Sequence, residues 1–132
     1  MGTFVDTSFW IALRRPEDRH HRAAQTLWES RPPQLVTTNH VVGETWTFMR
    51  RRFGHEPCVK FANAVAGSPR LIVHHPDESL EQDAWDWLRR HSEREYSFVD
   101  ATSFALMRRL RMREALAFDG DFAAAGFTEL RP

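Results

Sequence analysis

Short apolar segments alternate with helix-length stretches along this chain of 132 residues. The segments typical of strands are residues 4–5, 35–38, 71–73 and 115–118, with residues 127–130 as a candidate edge strand. The stretches between them are too long for hairpins, so neighbouring strands are expected to pair in parallel, with helices on both faces. The pattern predicts a three-layer α/β/α fold with a parallel sheet of four to five strands.

Capping residues and prolines predict the helix boundaries. Pro16 fits the first turn of a helix, which residues 31–33, Arg-Pro-Pro, are expected to stop. Asn39 is expected to cap a helix that Gly54 ends. Further helices are predicted for residues 9–13, 55–66 and 77–95, and from Ser97 onward.

The length and composition predict one globular domain spanning residues 1–132. Hydrophobic residues make up 42% of the chain and charged residues 27%, which argues against disorder. No apolar run approaches the roughly 20 residues that a membrane span needs, and the first residues do not resemble a signal peptide. Cys58 is the single cysteine, so no internal disulfide is possible, which suits a soluble protein of the reducing cytoplasm.

The net charge of zero conceals an asymmetry. Residues 77–95 contain seven acids and three arginines, which leaves an excess of four positive charges elsewhere. Arginine binds phosphate in a bidentate manner, so the clusters at residues 50–52 and 108–113 are candidate nucleic-acid contacts. Solvated helix faces held by salt bridges explain either cluster equally well.

Four acidic residues fall where strands or helices end or turn inward: Asp6, Glu44, Asp100 and Asp119. Each has an ordinary structural explanation, such as a helix cap at Asp6, an ion pair of Glu44 with Arg51 or Arg52, or a turn at Asp119. Their conjunction is more informative, because all four are assignable to one edge of the sheet. Carboxylates that converge without basic partners repel one another and usually hold a divalent cation.

Four segments together resemble a known family. They are Phe-Val-Asp-Thr-Ser at residues 4–8, the helix around Glu44, Tyr-Ser-Phe-Val-Asp-Ala at 96–101, and Ala-Phe-Asp-Gly-Asp-Phe at 117–122. In this order they are similar to a PIN domain of the VapC toxin type, and the similarity runs from Thr3 to about Leu130. The resemblance implies a Mg2+- or Mn2+-dependent ribonuclease with a parallel sheet of five strands. It also implies a VapB-like antitoxin that occupies the site, and a homodimer.

The resemblance assigns roles by position. Asp6, Glu44, Asp100 and Asp119 would form the acidic quartet, with Asp121 as an additional or outer carboxylate. We expect Asp6 and Asp100 to bind the metal directly, and Glu44 and Asp119 to orient metal-bound water or a second ion. The hydroxyls expected to hydrogen-bond these carboxylates belong to Thr7, Ser8 and Ser103.

Three further interpretations stay open at this point. Asp119 and Asp121 mimic the Asp-x-Asp of haloacid dehalogenase phosphatases, but only eleven residues follow Asp121, where those enzymes need most of a domain. The chain could also be a catalytically silent module that binds RNA or a partner, or a housekeeping nuclease that processes RNA. Three tryptophans are expected in the core rather than on a base-stacking surface: Trp46, Trp85 and Trp87.

Overall fold

A computed structural model describes residues 2–30 and 34–132. Five strands form one sheet in the order β3-β2-β1-β4-β5, and every pairing is parallel. The strands are β1 (Thr3–Val5), β2 (Leu35–Thr38), β3 (Leu71–His74), β4 (Glu114–Leu116) and β5 (Thr128–Glu129). The helices are α1 (Thr7–Arg14), α2 (His21–Ser30), α3 (Asn39–Phe53), α4 (His55–Gly67), α5 (Glu78–Arg90), α6 (Phe98–Arg109) and α7 (Asp121–Ala124). The predicted α/β fold with a parallel sheet of five strands is confirmed.

The register of the sheet brings distant parts of the chain to one edge. Phe4 in the central strand β1 lies opposite Val36 on one side and Ala115 on the other. The N–H of Asp6 then donates to the carbonyl of Leu116 at 3.0 Å, which connects the C-terminal end of β1 to the C-terminal end of β4. Parallel strands end at the same edge, and ligands of such sheets bind there.

The second helix begins later than the sequence predicts. Pro16 lies in a turn, and α2 starts only at His21. The reason is local hydrogen bonding by Asp18, whose carboxylate accepts from the N–H of His20 at 2.8 Å, while its carbonyl accepts from the N–H of His21 at 3.0 Å. Aspartate favours such turns over helix interiors. The expected stop at residues 31–33 lies outside the described part of the chain.

Three other predicted boundaries are also wrong. The cap of α3 is Thr38 rather than Asn39, because the buried hydroxyl at the end of β2 accepts from the N–H of Val41 at 3.1 Å. Helix α5 ends at Arg90 rather than at residue 95, since His91 is extended and its ring stacks on Trp87 at 4.0 Å. Strand β4 ends at Leu116, because the N–H of Phe118 donates to the hydroxyl of Ser8 instead of to a strand.

Aromatic side chains fill the core on both faces of the sheet. The fully buried rings include Phe4, Phe9, Phe61, Phe104 and Phe122. Of the tryptophans expected in the core, Trp87 is buried and Trp46 is half-buried, whereas Trp85 is 46% exposed and stacks on Phe98. Among the described residues, no helix has both the length and the apolar character to cross a membrane.

Candidate active site

Asp6 lies at the point where the central strand gives way to helix α1. Its Oδ2 accepts from the N–H of Ser8 at 3.2 Å and from the Ser8 hydroxyl at 2.8 Å, so the carboxylate caps α1. The residue is only 2% exposed. Burial, together with the negative charges of Asp119 and Asp100, raises the pKa of Asp6 well above its ordinary value, although Ser8 opposes the shift.

Asp100 lies in the first turn of α6 and is 8% exposed. It forms a capping box, in which its Oδ2 accepts from the N–H of Ser97 at 3.0 Å and the hydroxyl of Ser97 accepts from the N–H of Asp100 at 2.9 Å. Burial raises the pKa of Asp100 to about 6 against the opposing hydrogen bonds from Ser97, and the charges of Asp121 and Glu44 add to the rise. The cap uses one carboxylate oxygen, and Oδ1 accepts no hydrogen bond from the described residues.

Asp119 follows β4 in a tight turn. Gly120 has a φ of 83°, a left-handed conformation that glycine adopts readily, and the turn lets the N–H of Asp121 donate to Oδ1 of Asp119 at 3.1 Å. Burial raises the pKa of Asp119 to about 6, against that hydrogen bond, and the charges of Asp121 and Asp100 add to the rise. Asp119 therefore shares one electrostatic environment with Asp6 and Asp100.

Glu44 reaches the same edge from the middle of α3. Its Oε1 accepts from the hydroxyl of Thr7 at 2.7 Å, a contact across 37 positions of the chain. Within residues 2–30 and 34–132, the ion pair with Arg51 or Arg52 that the sequence allowed is not formed. Thr7 thus fixes Glu44 without neutralising it.

Asp121 differs from the other acids because a cation holds it. The Nε of Arg94 lies 2.6 Å from Oδ1 of Asp121, and Nη2 of the same guanidinium donates to the carbonyl of Asp119 at 3.1 Å. Arg94 lies in the loop before α6, and nothing in the local sequence pattern predicted this contact. Because of this ion pair, the charge of Asp121 is better neutralised than that of Asp119.

Glu129 is a second residue that the sequence analysis missed. Its side chain is 4% exposed and accepts from three backbone N–H groups, at 3.2 Å from Gly120 and 3.1 Å from both Phe122 and Ala123. Arg131 completes the contact, with its Nη2 3.2 Å from Oε1 of Glu129. These bonds hold the turn that carries Asp119 and Asp121 against β5.

Two of the three expected hydroxyl contacts to carboxylates are present. Thr7 donates to Glu44 and Ser8 donates to Asp6. The expectation for Ser103 is wrong, because its hydroxyl donates to the carbonyl of Val99 at 2.9 Å. Ser103 lies almost one turn beyond Asp100 inside a buried stretch of α6, where the carbonyl four residues earlier is the nearest acceptor.

The five carboxylates share one edge of the sheet and supply oxygen donors only. Such a donor set suits Mg2+ or Mn2+, which prefer oxygen, and does not suit zinc or copper. Within the described residues, no group of three or more His, Cys, Asp or Glu side chains forms a cluster that could hold a metal ion. Mg2+ does not require one, since it usually keeps several waters and one or two carboxylates. The donor chemistry therefore fits a hydrated hard cation.

A parallel sheet whose carboxyl edge gathers buried acids is the arrangement expected of PIN domains, and the profile of the PIN domain family matches residues 3–128. The chain belongs to this family, and its predicted resemblance to VapC-type members is confirmed. Over 129 residues it is 57% identical to the 23S rRNA-specific endonuclease VapC20 of Mycobacterium tuberculosis, with 98% of each chain covered.

Solved structures agree with this assignment. The crystal structure of Mycobacterium tuberculosis VapC20, described as a sarcin-ricin loop cleaving toxin, matches with a TM-score of 0.95 and 55% identity, covering 99% of this chain and 100% of that one. A toxin-antitoxin complex from Klebsiella pneumoniae matches with a TM-score of 0.71 over 98% of this chain and 100% of that one. Its 16% identity shows a shared fold alone.

Proposed function

We propose that this protein is an endoribonuclease toxin of the VapC type that hydrolyses RNA phosphodiester bonds with Mg2+ or Mn2+. The observation that supports it most is the set of crowded carboxylates at the sheet edge. Burial and mutual repulsion raise the pKa values of Asp6, Asp100 and Asp119. Such crowding lowers the stability of the fold, so acids with a purely structural role are not expected at this edge.

Each acid receives a role from its surroundings. Asp6 and Asp100 would hold the metal, because both are buried and neither has a cationic partner among the described residues. Glu44 and Asp119 would orient water or a second ion, and Asp121, already bound by Arg94, would lie outside the direct ligands. A bound divalent cation would lower the pKa of water and offset charge on the phosphodiester. Ser97, Ser8 and Thr7 keep the carboxylates in place through the hydrogen bonds described above.

The proposed substrate is ribosomal RNA. The relative that is 57% identical is named a 23S rRNA-specific endonuclease, and its structure is described as that of a sarcin-ricin loop cleaving toxin. The similarity covers nearly the whole of both chains, so the same loop is the first RNA to test.

Two partners complete the proposal. A VapB-like antitoxin would cover the acidic edge, the edge of the sheet that carries the five carboxylates, since a ribonuclease toxin needs an inhibitor in the cell that makes it. Basic groups of such a protein would be attracted by carboxylates that lack cations. The chain is also expected to form a homodimer, which light scattering of the purified protein tests.

The decisive experiment is cleavage of a synthetic sarcin-ricin-loop hairpin by the purified chain. We expect cleavage with Mg2+ or Mn2+, loss of cleavage with EDTA, and loss of cleavage in Asp100→Asn with either metal. Binding of the hairpin without metal-stimulated cleavage would instead favour a silent RNA-binding module. Wild-type cleavage in the presence of EDTA would contradict the role of the metal.

A further inference from the structure

A cavity of about 600 Å³ opens directly beside the acidic edge. Helix α3 supplies most of its lining, and Val99 at the start of α6 closes one side. Glu44 lines the cavity and is held at the sheet edge by the hydroxyl of Thr7, so the cavity reaches the acidic edge. The volume lies in the range of small-ligand sites in proteins.

The walls of this cavity combine an aromatic ring with cations. The guanidinium carbon of Arg52 lies over the ring of Phe48, 4.5 Å from its centroid, in a cation–π contact. Arg51 lies beside it, and neither arginine forms an ion pair with an acid in the described part of the chain. Arg109 at the end of α6 differs, since it is bound by Asp77 and Asp83.

Polar groups face the cavity from the first turn of α3. Asn39 is exposed and offers an amide with both donors and an acceptor. His40 is held in orientation, with its Nε2 3.1 Å from Oε2 of Glu81 and its ring edge-on to Phe98 at 5.8 Å. An amide and a fixed imidazole are groups that read the edge of an unpaired base.

We propose that this cavity binds one unpaired nucleotide of the RNA substrate, next to the phosphate that is cut. The base lies against the surface formed by Phe48 and Arg52, its edge meets Asn39 and His40, and Arg51 binds a neighbouring phosphate. This inference rests on the proposed ribonuclease function and names the subsite that sets its sequence preference. An RNA strand explains the cavity better than a protein partner does, because the carboxylate of Glu44, an aromatic ring and two guanidinium groups able to bind phosphate follow one another along α3.

The matched control is Arg50. It lies in the same run of three arginines on the same helix, is exposed, and does not line the cavity. Arg51→Ala, Arg52→Ala and Arg50→Ala therefore remove the same charge at three adjacent positions. All three are compared in an Asp100→Asn background, in which the RNA is expected to remain intact.

The first measurement is fluorescence anisotropy of a labelled sarcin-ricin-loop hairpin over a series of NaCl concentrations. We expect Arg51→Ala and Arg52→Ala to weaken binding about tenfold, and Arg50→Ala to weaken it by less than about twofold. Loss of a phosphate contact in Arg51→Ala should reduce the slope of log affinity against log salt by about 0.7. Arg52→Lys keeps the charge but loses the planar guanidinium group, so it should restore only part of the affinity.

The second measurement uses the wild-type acidic edge and hairpins with single base changes flanking the cut. Asn39→Ala should change the relative cleavage rates of these hairpins, whereas Arg50→Ala should scale all of them equally. Uniform scaling in both variants would contradict a role of Asn39 in reading the base.

The outcomes separate this inference from the proposed function. If the wild type binds the hairpin with the expected pattern of arginine effects but never cuts it, the ribonuclease proposal fails and the nucleotide subsite stands. If cleavage is metal-dependent but the three alanine variants bind RNA equally, the subsite is overturned. A cavity that serves a protein partner would give this second result.

Discussion

The acidic edge of the sheet and the outer face of α5 and α6 carry the same kinds of residue in opposite electrostatic states. On the outer face, Arg109 lies 3.1 Å from Asp83 and 3.6 Å from Asp77, and all three side chains are largely exposed. At the sheet edge, Asp6 and Asp100 are buried without a cation among the described residues. The first arrangement disperses charge at little cost, whereas the second concentrates it at a cost in stability.

The pKa directions express the same contrast. The N–H of Leu80, the hydroxyl of Ser79 and Arg109 hold the pKa of Asp77 below its ordinary value, although burial opposes them slightly. Burial and neighbouring carboxylates raise the pKa values of Asp100 and Asp119 to about 6. The comparison teaches that acid content alone does not mark a site. A cluster of acids indicates a functional site where the fold buries the acids together and leaves them without cations.

The largest effect is expected from removing one charge at the acidic edge. Asp100→Asn should reduce RNA cleavage by at least about 100-fold, because even residues that merely support metal ligands typically account for 10- to 100-fold. The metal-free variant should be as stable as the wild type or more stable, since a repelled buried charge is lost and the asparagine oxygen still caps α6. Cleavage kinetics and chemical unfolding measure the two effects.

Asp83→Asn is the matched control on the outer face. It removes the same charge from an exposed position, so it should leave cleavage within about twofold of wild type and stability within about 0.5 kcal/mol. An equal loss of cleavage in both variants would show that a buried acid at the sheet edge contributes no more to cleavage than an exposed acid on the outer face.

The next largest effect is expected at Glu129, which supports the edge without belonging to the quartet. Glu129→Gln replaces an oxygen that accepts backbone N–H bonds by an amide group that donates, so a buried donor meets other donors. We expect a loss of roughly 2 kcal/mol in the free energy of unfolding, with a smaller fall in cleavage than in Asp100→Asn. Urea unfolding compared with cleavage rate checks the order of the effects.

The dependence of stability on pH should be smaller and should have an unusual sign. A carboxyl group whose folded pKa exceeds its unfolded value stabilises the fold fully below the unfolded pKa, and that stabilisation is lost as pH rises through the folded pKa. For Asp100 the window runs from the ordinary 3.8 to about 6. The free energy of unfolding of the metal-free protein should therefore rise by on the order of 1 kcal/mol as the pH falls from about 7.5 to about 5.5.

Mg2+ should oppose that gain, because it binds the ionised carboxylates and so stabilises the fold more at the higher pH. Thermal unfolding at the two pH values, with Mg2+ and with EDTA, measures both trends. A metal-free protein that loses stability over this interval on acidification would contradict the assigned environment of Asp100.

The smallest effect is expected where the outer face is disturbed. Arg109→Ala removes the cation shared by Asp77 and Asp83, yet all of these groups are exposed to solvent. The free energy of unfolding should change by less than about 1 kcal/mol, and cleavage should not change measurably. A fall in cleavage would show that this face contacts RNA after all, as the sequence left open for the cluster at residues 108–113.

Local chemistry made much of the fold predictable. The alternation of strands and helices specified parallel pairing, and Ser97 and Gly54 marked helix ends through side-chain capping and backbone freedom. The prediction failed at Pro16, where the turn formed by Asp18 outweighed a favourable helix-start residue. Local preferences compete in such places, and only hydrogen bonding in the folded chain decides between them.

The sequence allowed the acids of the candidate site to be predicted, but not the residues that hold them in place. Asp6, Asp100 and Asp119 could be placed at this edge because strand ends and helix starts are visible in sequence, whereas Glu44 lies in the middle of α3 and was assigned through the family resemblance. Arg94 contacts Asp121 across 27 positions, and Ser8 binds the N–H of Phe118 across 110. Such contacts depend on tertiary register, which leaves no periodic signal in a single sequence.

The capping box at Asp100 has an evolutionary consequence. One oxygen of this side chain secures the start of α6, and the other accepts no hydrogen bond from the described residues. An aspartate codon becomes an asparagine codon by a single base change, and the amide retains an oxygen able to fill the capping position. With the role proposed for Asp100, a folded but inert copy of the protein would lie one point mutation from the active one, and populations under pressure from its toxicity would lose the chemistry while keeping the scaffold.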